Sequence, residues 1–175
     1  MNLKIVQAGD PVLRKQSRQL TKDEIRSPQI QQLIELMRDT MREAPGVGLA
    51  APQVGVSLQL FVFDDGEHGP SFLANPELYD LDGEVTEEEG CLSIPGPYHP
   101  TLRARSIRCR GLDLKGNPIE VQGEGLLARI LQHETDHLHG TLYIDRLDDT
   151  GRRAVLAELR RIELGLAEPR PRRRP

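Results

Sequence analysis

Tryptophan is absent from this chain, and only three Phe and three Tyr are present. Aromatic side chains are scarce, although the composition is that of a soluble globular chain. Cysteine occurs twice, at Cys91 and Cys109, too few for the disulfide framework of a small secreted scaffold. One bridge between them is conceivable, but a cytoplasmic protein with a working thiolate fits better. No apolar run approaches the roughly 20 residues of a membrane span. The first residues, Met1 to Gln7, carry neither a signal-peptide core nor an Arg/Ser-rich transit pattern. What is there is a globular composition: 175 residues, 37% hydrophobic and 29% charged, enough for one domain with a buried core.

The net charge of −4 hides an asymmetry. Eight Arg against three Glu from Arg152 onward make a local +5, which leaves −9 on the remainder. An acidic body with a basic tail suits a nucleic-acid or ribosome contact. A solvated, frayed terminus explains the same charges equally well. The Arg/Pro-rich stretch 167–175 is expected to be disordered, which leaves 1–166 as a single domain.

Asp10 at N-cap and Pro11 behind it predict a short helical turn. Thr21 and Glu24 have capping-box spacing, and Ile30, Leu33, Ile34, Met37 and Met41 repeat at helical period, so one helix is expected over 22–43. The small-residue stretch from Gly46 to Gly55 reads as a loop able to approach a ligand closely. Strands are expected at 58–63, 72–74, 106–114 and 119–121. A buried helix follows over 125–139, capped at Gly140. The last helix, 150–166, carries an apolar stripe of Val155, Leu156, Leu159, Ile162 and Leu166.

The buried helix holds the most informative pattern, His133-Glu134-Thr135-Asp136-His137, or H-E-x-x-H. Two imidazoles four residues apart share one helix face and can meet one metal ion. Glu134 falls beside them, where a carboxylate can serve as general base; its bland alternative is an exposed helix Glu. A catalytic site of this type wants a third protein ligand and one open position. The metzincin extension fails, because Tyr143 stands where a His is required. Glu158 lies on an amphipathic, Arg-rich helix and reads as an ordinary solvated position. Cys91, in Glu89-Gly90-Cys91-Leu92-Ser93, remains, in a segment shaped by Gly and Pro and not read as a regular strand. Cys with two His suits Zn²⁺, Fe²⁺, Ni²⁺ or Co²⁺. Cys109 fits the plainer reading of a small buried hydrophobe. His139 lies about 200° round the helix from His137 and is a poor ligand; His68 and His99 read as solvated loop residues.

Three stretches together resemble the motifs of peptide deformylases: Gly46-x-Gly48-x-Ala50-Ala51-x-Gln53, Glu89-Gly90-Cys91-Leu92-Ser93, and Gln132-His133-Glu134-x-Asp136-His137-Leu138. They come in that family's order, and the likeness runs from the Asp10 turn to the last helix. It implies an α+β fold, with antiparallel sheets around a central buried metal-bearing helix and helices at the N- and C-terminal ends.

The resemblance also implies an activity: removal of the N-formyl group from formylmethionine of nascent polypeptides, releasing formate. Cys91, His133 and His137 would hold one divalent ion, Fe²⁺ being the one the family favours. Glu134 would be the proton carrier. The Gln53 side chain and the Leu92 backbone N–H would steady the oxyanion. Gly48 would pair with substrate backbone, and Val47 and Leu126 would line a methionine pocket. Tyr98 and Arg129 fall at pocket or rim positions, and Arg129 is expected as a rim charge on a buried stem. Asp136 either orients a ligand His or caps surface charge. The ribosome is the expected partner of the basic C-terminal helix and tail, and a monomer the expected state. Two other readings stay open: a zinc endopeptidase, which would need neither Cys91 nor Gln53, and an inactive ribosome-binding relative, which should have lost Glu134, Gln53 or Cys91.

Overall fold

A computed structural model describes residues 2–171. Among the described residues, seven strands and four α-helices make an α+β architecture. Five strands form one antiparallel sheet in the order β1 (Gly48–Ala50), β2 (Leu60–Phe63), β3 (Ser71–Asp82), β6 (Ser106–Leu112), β7 (Pro118–Glu124). The other two, β4 (Val85–Cys91) and β5 (Ile94–Arg103), form a separate antiparallel hairpin.

The sheet is buried on both faces where β2 crosses it, which is why Leu60-Phe61-Val62-Phe63 reads as an unbroken apolar run. Leu60 and Val62 join the cluster around Ile34, Met37 and Met41 of α2 (Pro28–Glu43). Phe61 and Phe63 join Ala128, Leu131 and Leu138 of α3 (Gly125–Leu138) on the other face. The period of two along the strand thus divides one run between two cores. A third cluster (Cys91, Ile94, Leu142, Tyr143, Ile144, Val155) fastens the β4–β5 hairpin to α4 (Asp149–Glu163).

The helix expected over 22–43 is two helices, α1 (Lys22–Arg26) and α2. Ser27 is extended at φ −64°, ψ 146°, because a residue before proline avoids the helical region. Its hydroxyl then caps α2 by accepting from the Ile30 N–H, with Pro28 at the first helical position. The capping box of Thr21 and Glu24 is present on α1. Strand β3 is far longer than the expected 72–74, with register shifts near Asn75 and Asp80, both at φ 49°. The Asn75 side chain bonds the Leu20 N–H at 2.9 Å and carbonyl at 2.8 Å, tying the sheet to the N-terminal segment. The stretch 85–103 gave no strand signal, because its Glu run and three prolines break the usual alternation, yet it is the β4–β5 hairpin. No described helix is long and apolar enough to cross a membrane. Of the tail expected to be disordered, 172–175 lie outside the described residues.

Candidate metal centre

Helix α3 is buried along Ala128 to Leu138, and this sets the polarity of everything that projects from it. Gly140 follows in the left-handed region at φ +75° and ends it. His133 and His137 project side by side, their Nε2 atoms 3.1 Å apart. Cys91, the last residue of β4, brings Sγ to 3.4 Å from His137 Nε2. These ligand atoms all lie within 4.8 Å of one another, and the three residues are buried. The expected irregular segment around Cys91 is therefore a strand end.

Burial alone would push the Cys91 thiol up, but the facing imidazoles of His137 and His133 hold it well below its usual range. Burial likewise opposes a charge on His133, yet the Cys91 sulfur and the Glu89 carboxylate draw positive charge to it. A pocket that gathers a thiolate and two ring nitrogens, and attracts a cation, fits a divalent metal. Glu134 points the same way. It is only 4% exposed, its Oε2 has no hydrogen-bond partner, and burial raises its pKa despite the two His beside it. A buried carboxylate oxygen left unpaired at a cavity that Cys91 and His133 also line is placed to bond a water or substrate there.

Gln53 stands in the short helical turn Ala51–Val54, 1% exposed. Its Oε1 accepts from the Ala50 N–H at 2.9 Å, which turns the amide nitrogen toward the centre. That nitrogen donates to Ser93 Oγ at 3.2 Å and lies 3.5 Å from Cys91 Sγ. Gly48 is in β1, an edge strand, and a Cβ there would lie 2.7 Å from Glu134 Cδ. Around these residues a cavity of about 260 Å³ is lined by Val47, Leu92, Tyr98, Leu126, Arg129 and Ile130 among others.

Sequence reasoning missed the buried ionic network behind the ligands. Glu89 accepts from His133 Nδ1 at 2.5 Å, Arg103 Nη2 at 2.5 Å and Arg129 Nη1 at 2.7 Å. Although burial opposes its charge, His133 and Arg103 hold its pKa far below the carboxylate range. With Nδ1 bonded to Glu89, His133 turns Nε2 toward His137, where the two could share a metal ion. Arg103 also reaches Asp136 at 2.7 Å, and Asp136 pairs with Arg146 at 2.6 Å. The Asp136 carboxylate thus pairs with two arginines, while His133 Nδ1 bonds Glu89 and not Asp136. Arg129 is not a rim charge: it is 6% exposed and also donates to the Thr101 carbonyl at 3.0 Å. The one available signal was spacing, since Glu89 and Cys91 are two apart; the surrounding Glu run disguised it as solvated.

Of the other residues weighed from the sequence, Tyr143 packs against the centre and the rest fall away from it. Tyr143 is buried, its ring stacked 6.3 Å from that of His133. Cys109 is free and buried in the sheet, its thiol pushed up to about 12 by burial. His139 and His68 are exposed, and His99 is half-buried in β5. Glu158 is half-buried on α4.

A buried Cys-His-His set with a carboxylate beside it, inside an α+β frame, defines the class of metal-dependent hydrolases. The chain belongs to the polypeptide deformylase family, whose model matches residues 2–153. A peptide deformylase of Clostridium botulinum is 49% identical over 138 residues, which are 79% of this chain and 91% of the relative. One from Acidothermus cellulolyticus is 46% identical over 157 residues, 89% of this chain and 84% of the relative. The crystal structure of a peptide deformylase from Legionella pneumophila superposes with a TM-score of 0.86 at 41% identity, covering 97% of this chain and all of that one. The chain is accordingly an enzyme of a metal-dependent family that acts on formylated nascent peptides.

Proposed function

We propose that this enzyme removes the N-formyl group of N-terminal formylmethionine with Cys91, His133 and His137 holding one divalent metal, in a catalytic unit spanning 1–166. The observation that carries the assignment of roles is the unpaired, buried Glu134 Oε2 beside the three ligand atoms. When bound, the cation supplies Lewis acidity and brings the pKa of a water toward neutrality. Glu134 would take the proton from an attacking water as the water oxygen adds to the formyl carbon. It then returns the proton to the amine nitrogen as the C–N bond breaks, leaving formate and a free N-terminus.

Negative charge develops on the formyl oxygen during addition. The Gln53 amide, already turned inward by its bond to Ala50, and the Leu92 backbone N–H are the proposed donors to it. Each such donor contributes about 3 kcal/mol of barrier lowering. The free edge of β1 at Gly48 lets the substrate backbone add as an extended strand. Val47, Leu126, Tyr98 and the packed flank of Arg129 line the cavity for the methionine side chain.

Fe²⁺ is the proposed native ion, with Zn²⁺, Ni²⁺ and Co²⁺ as substitutes that the thiolate-imidazole set also accepts. Chelation should abolish turnover of formyl-Met-Ala-Ser, and anaerobic reloading with Fe²⁺ should restore it best. Full activity in metal-free protein would sink the reading. The ribosome is the proposed partner of the exposed arginines Arg152, Arg153, Arg160 and Arg161 on α4. Reversing their charge should reduce co-sedimentation with ribosomes, and unchanged co-sedimentation would remove this partner.

A further inference from the structure

Beyond α4 the chain turns back toward the mouth of the substrate cavity. Pro169 seats on Gly96, where a Cβ would lie 3.1 Å from Pro169 Cβ, and Gly96 itself is at φ +106°. Only glycine accepts both the conformation and the contact. Arg170 then places Nη1 at 3.0 and 3.3 Å from the two carboxylate oxygens of Glu88. Its guanidinium carbon stands 5.7 Å from the Tyr98 ring centroid. Glu88 and Tyr98 both line the cavity. The Tyr98 ring in turn lies against Gly90, where a Cβ would sit 2.7 Å from it.

We propose that Arg170 is a specificity-determining residue, setting the sign of charge that a formylated peptide meets as it leaves the cavity. Strand β4 brings Glu87 and Glu88 to this edge, 62% and 56% exposed. The third acid of the run, Glu89, is already paired inside with Arg103 and Arg129. Arg129 Nε lies 3.8 Å from Glu87, whereas Glu88 has Arg170 as its cation, so without Arg170 the Glu88 carboxylate stands unbalanced at the mouth and disfavours acidic peptides. Arg170 offsets Glu88 and is itself 49% exposed. A guanidinium carries five N–H donors, and the Glu88 pair occupies one nitrogen. An extended peptide advances about 3.3 Å per residue, so the second residue after formylmethionine lies about 7 Å out, at this edge.

The inference rests on the deformylase reading above, and the test separates the two. The measurement is kcat/KM for formyl-Met-Ala-Glu-amide and formyl-Met-Ala-Lys-amide at low ionic strength, beside formyl-Met-Ala-Ser. One unit charge about 7 Å away in water changes each rate about threefold, in opposite directions for the two peptides. Arg170→Ala should therefore lower the Glu/Lys preference about sevenfold, and Arg170→Glu about fiftyfold. Arg170→Lys should retain it, and about 0.5 M salt should flatten every difference. A preference moved less than twofold by both Arg170→Ala and Arg170→Glu overturns the proposal, as do equal losses on both peptides. No turnover of formyl-Met-Ala-Ser by the unaltered holoenzyme would instead overturn the underlying reading, and this one with it.

Discussion

The Glu134 carboxyl group lies against the bare Cα of Gly48, so β1 and α3 meet at a point where no side chain fits. A Cβ at position 48 would sit 2.7 Å from Glu134 Cδ and 2.9 Å from its Cγ. Gly48→Ala should therefore push the carboxylate out of place while leaving the ligands alone. Displacements of about 1 Å at a reacting group cost on the order of a hundredfold in rate. We expect kcat to fall by about that factor with the metal content unchanged; a normal kcat would show that the carboxylate has room.

Glu134→Ala separates the metal from the proton carrier. Metal analysis of the purified variant should still find one ion per chain, because Cys91, His133 and His137 remain. Turnover of formyl-Met-Ala-Ser should drop by about 10²- to 10⁴-fold, the usual contribution of a positioned acid–base group. Retained turnover would remove Glu134 from the mechanism.

Glu89 is the charge that balances Arg103 and Arg129 in the interior. Glu89→Ala leaves both guanidinium groups buried without it and should cost about 3–5 kcal/mol in urea unfolding of the loaded enzyme. Glu89→Gln preserves the shape but weakens the hold on His133, and should lower metal affinity about 10- to 100-fold. Equal affinity for wild type and Glu89→Gln would mean that His133 is oriented by packing alone.

The two thiols should behave oppositely. Cys109, at about 12, is roughly one part in ten thousand thiolate at pH 8 and is buried besides. Iodoacetamide should leave it untouched in native protein, with or without metal. Cys91 should be protected by metal and alkylated after chelation, which mass spectrometry of the peptides would show. Labelling of Cys109 in folded protein would contradict this assignment.

Where the sequence was legible, the reason was local. His133 and His137 share a helix face by their spacing, with Glu134 beside them, and an apolar N-terminal half signalled a buried helix, although burial runs over 128–138 and Leu126 and Leu127 are only half-buried. The split between α1 and α2 was also local, since Ser27-Pro28 carries a cap and a stop in two residues, but the strong periodicity on either side masked it. The β4–β5 hairpin was not legible, because its pairing depends on contacts with α3 and α4 and not on alternation within 85–103.

H-E-x-x-H by itself determined that a metal could be held and that a carboxylate would stand beside it, because helical geometry depends on sequence separation alone. With the Cys91 and Gln53 motifs, it also determined the family. Only the tertiary structure decided what surrounds the ligands. Glu89 and Arg129 look like surface charges in a strongly charged chain, and each is buried with its charge paired: Glu89 by Arg129, Arg103 and His133, and Arg129 by Glu89 and the Thr101 carbonyl. Such pairing lies 14 to 40 residues apart along the chain, beyond the reach of any local pattern. It turns apparent solvent-facing charge into the frame that holds the metal site.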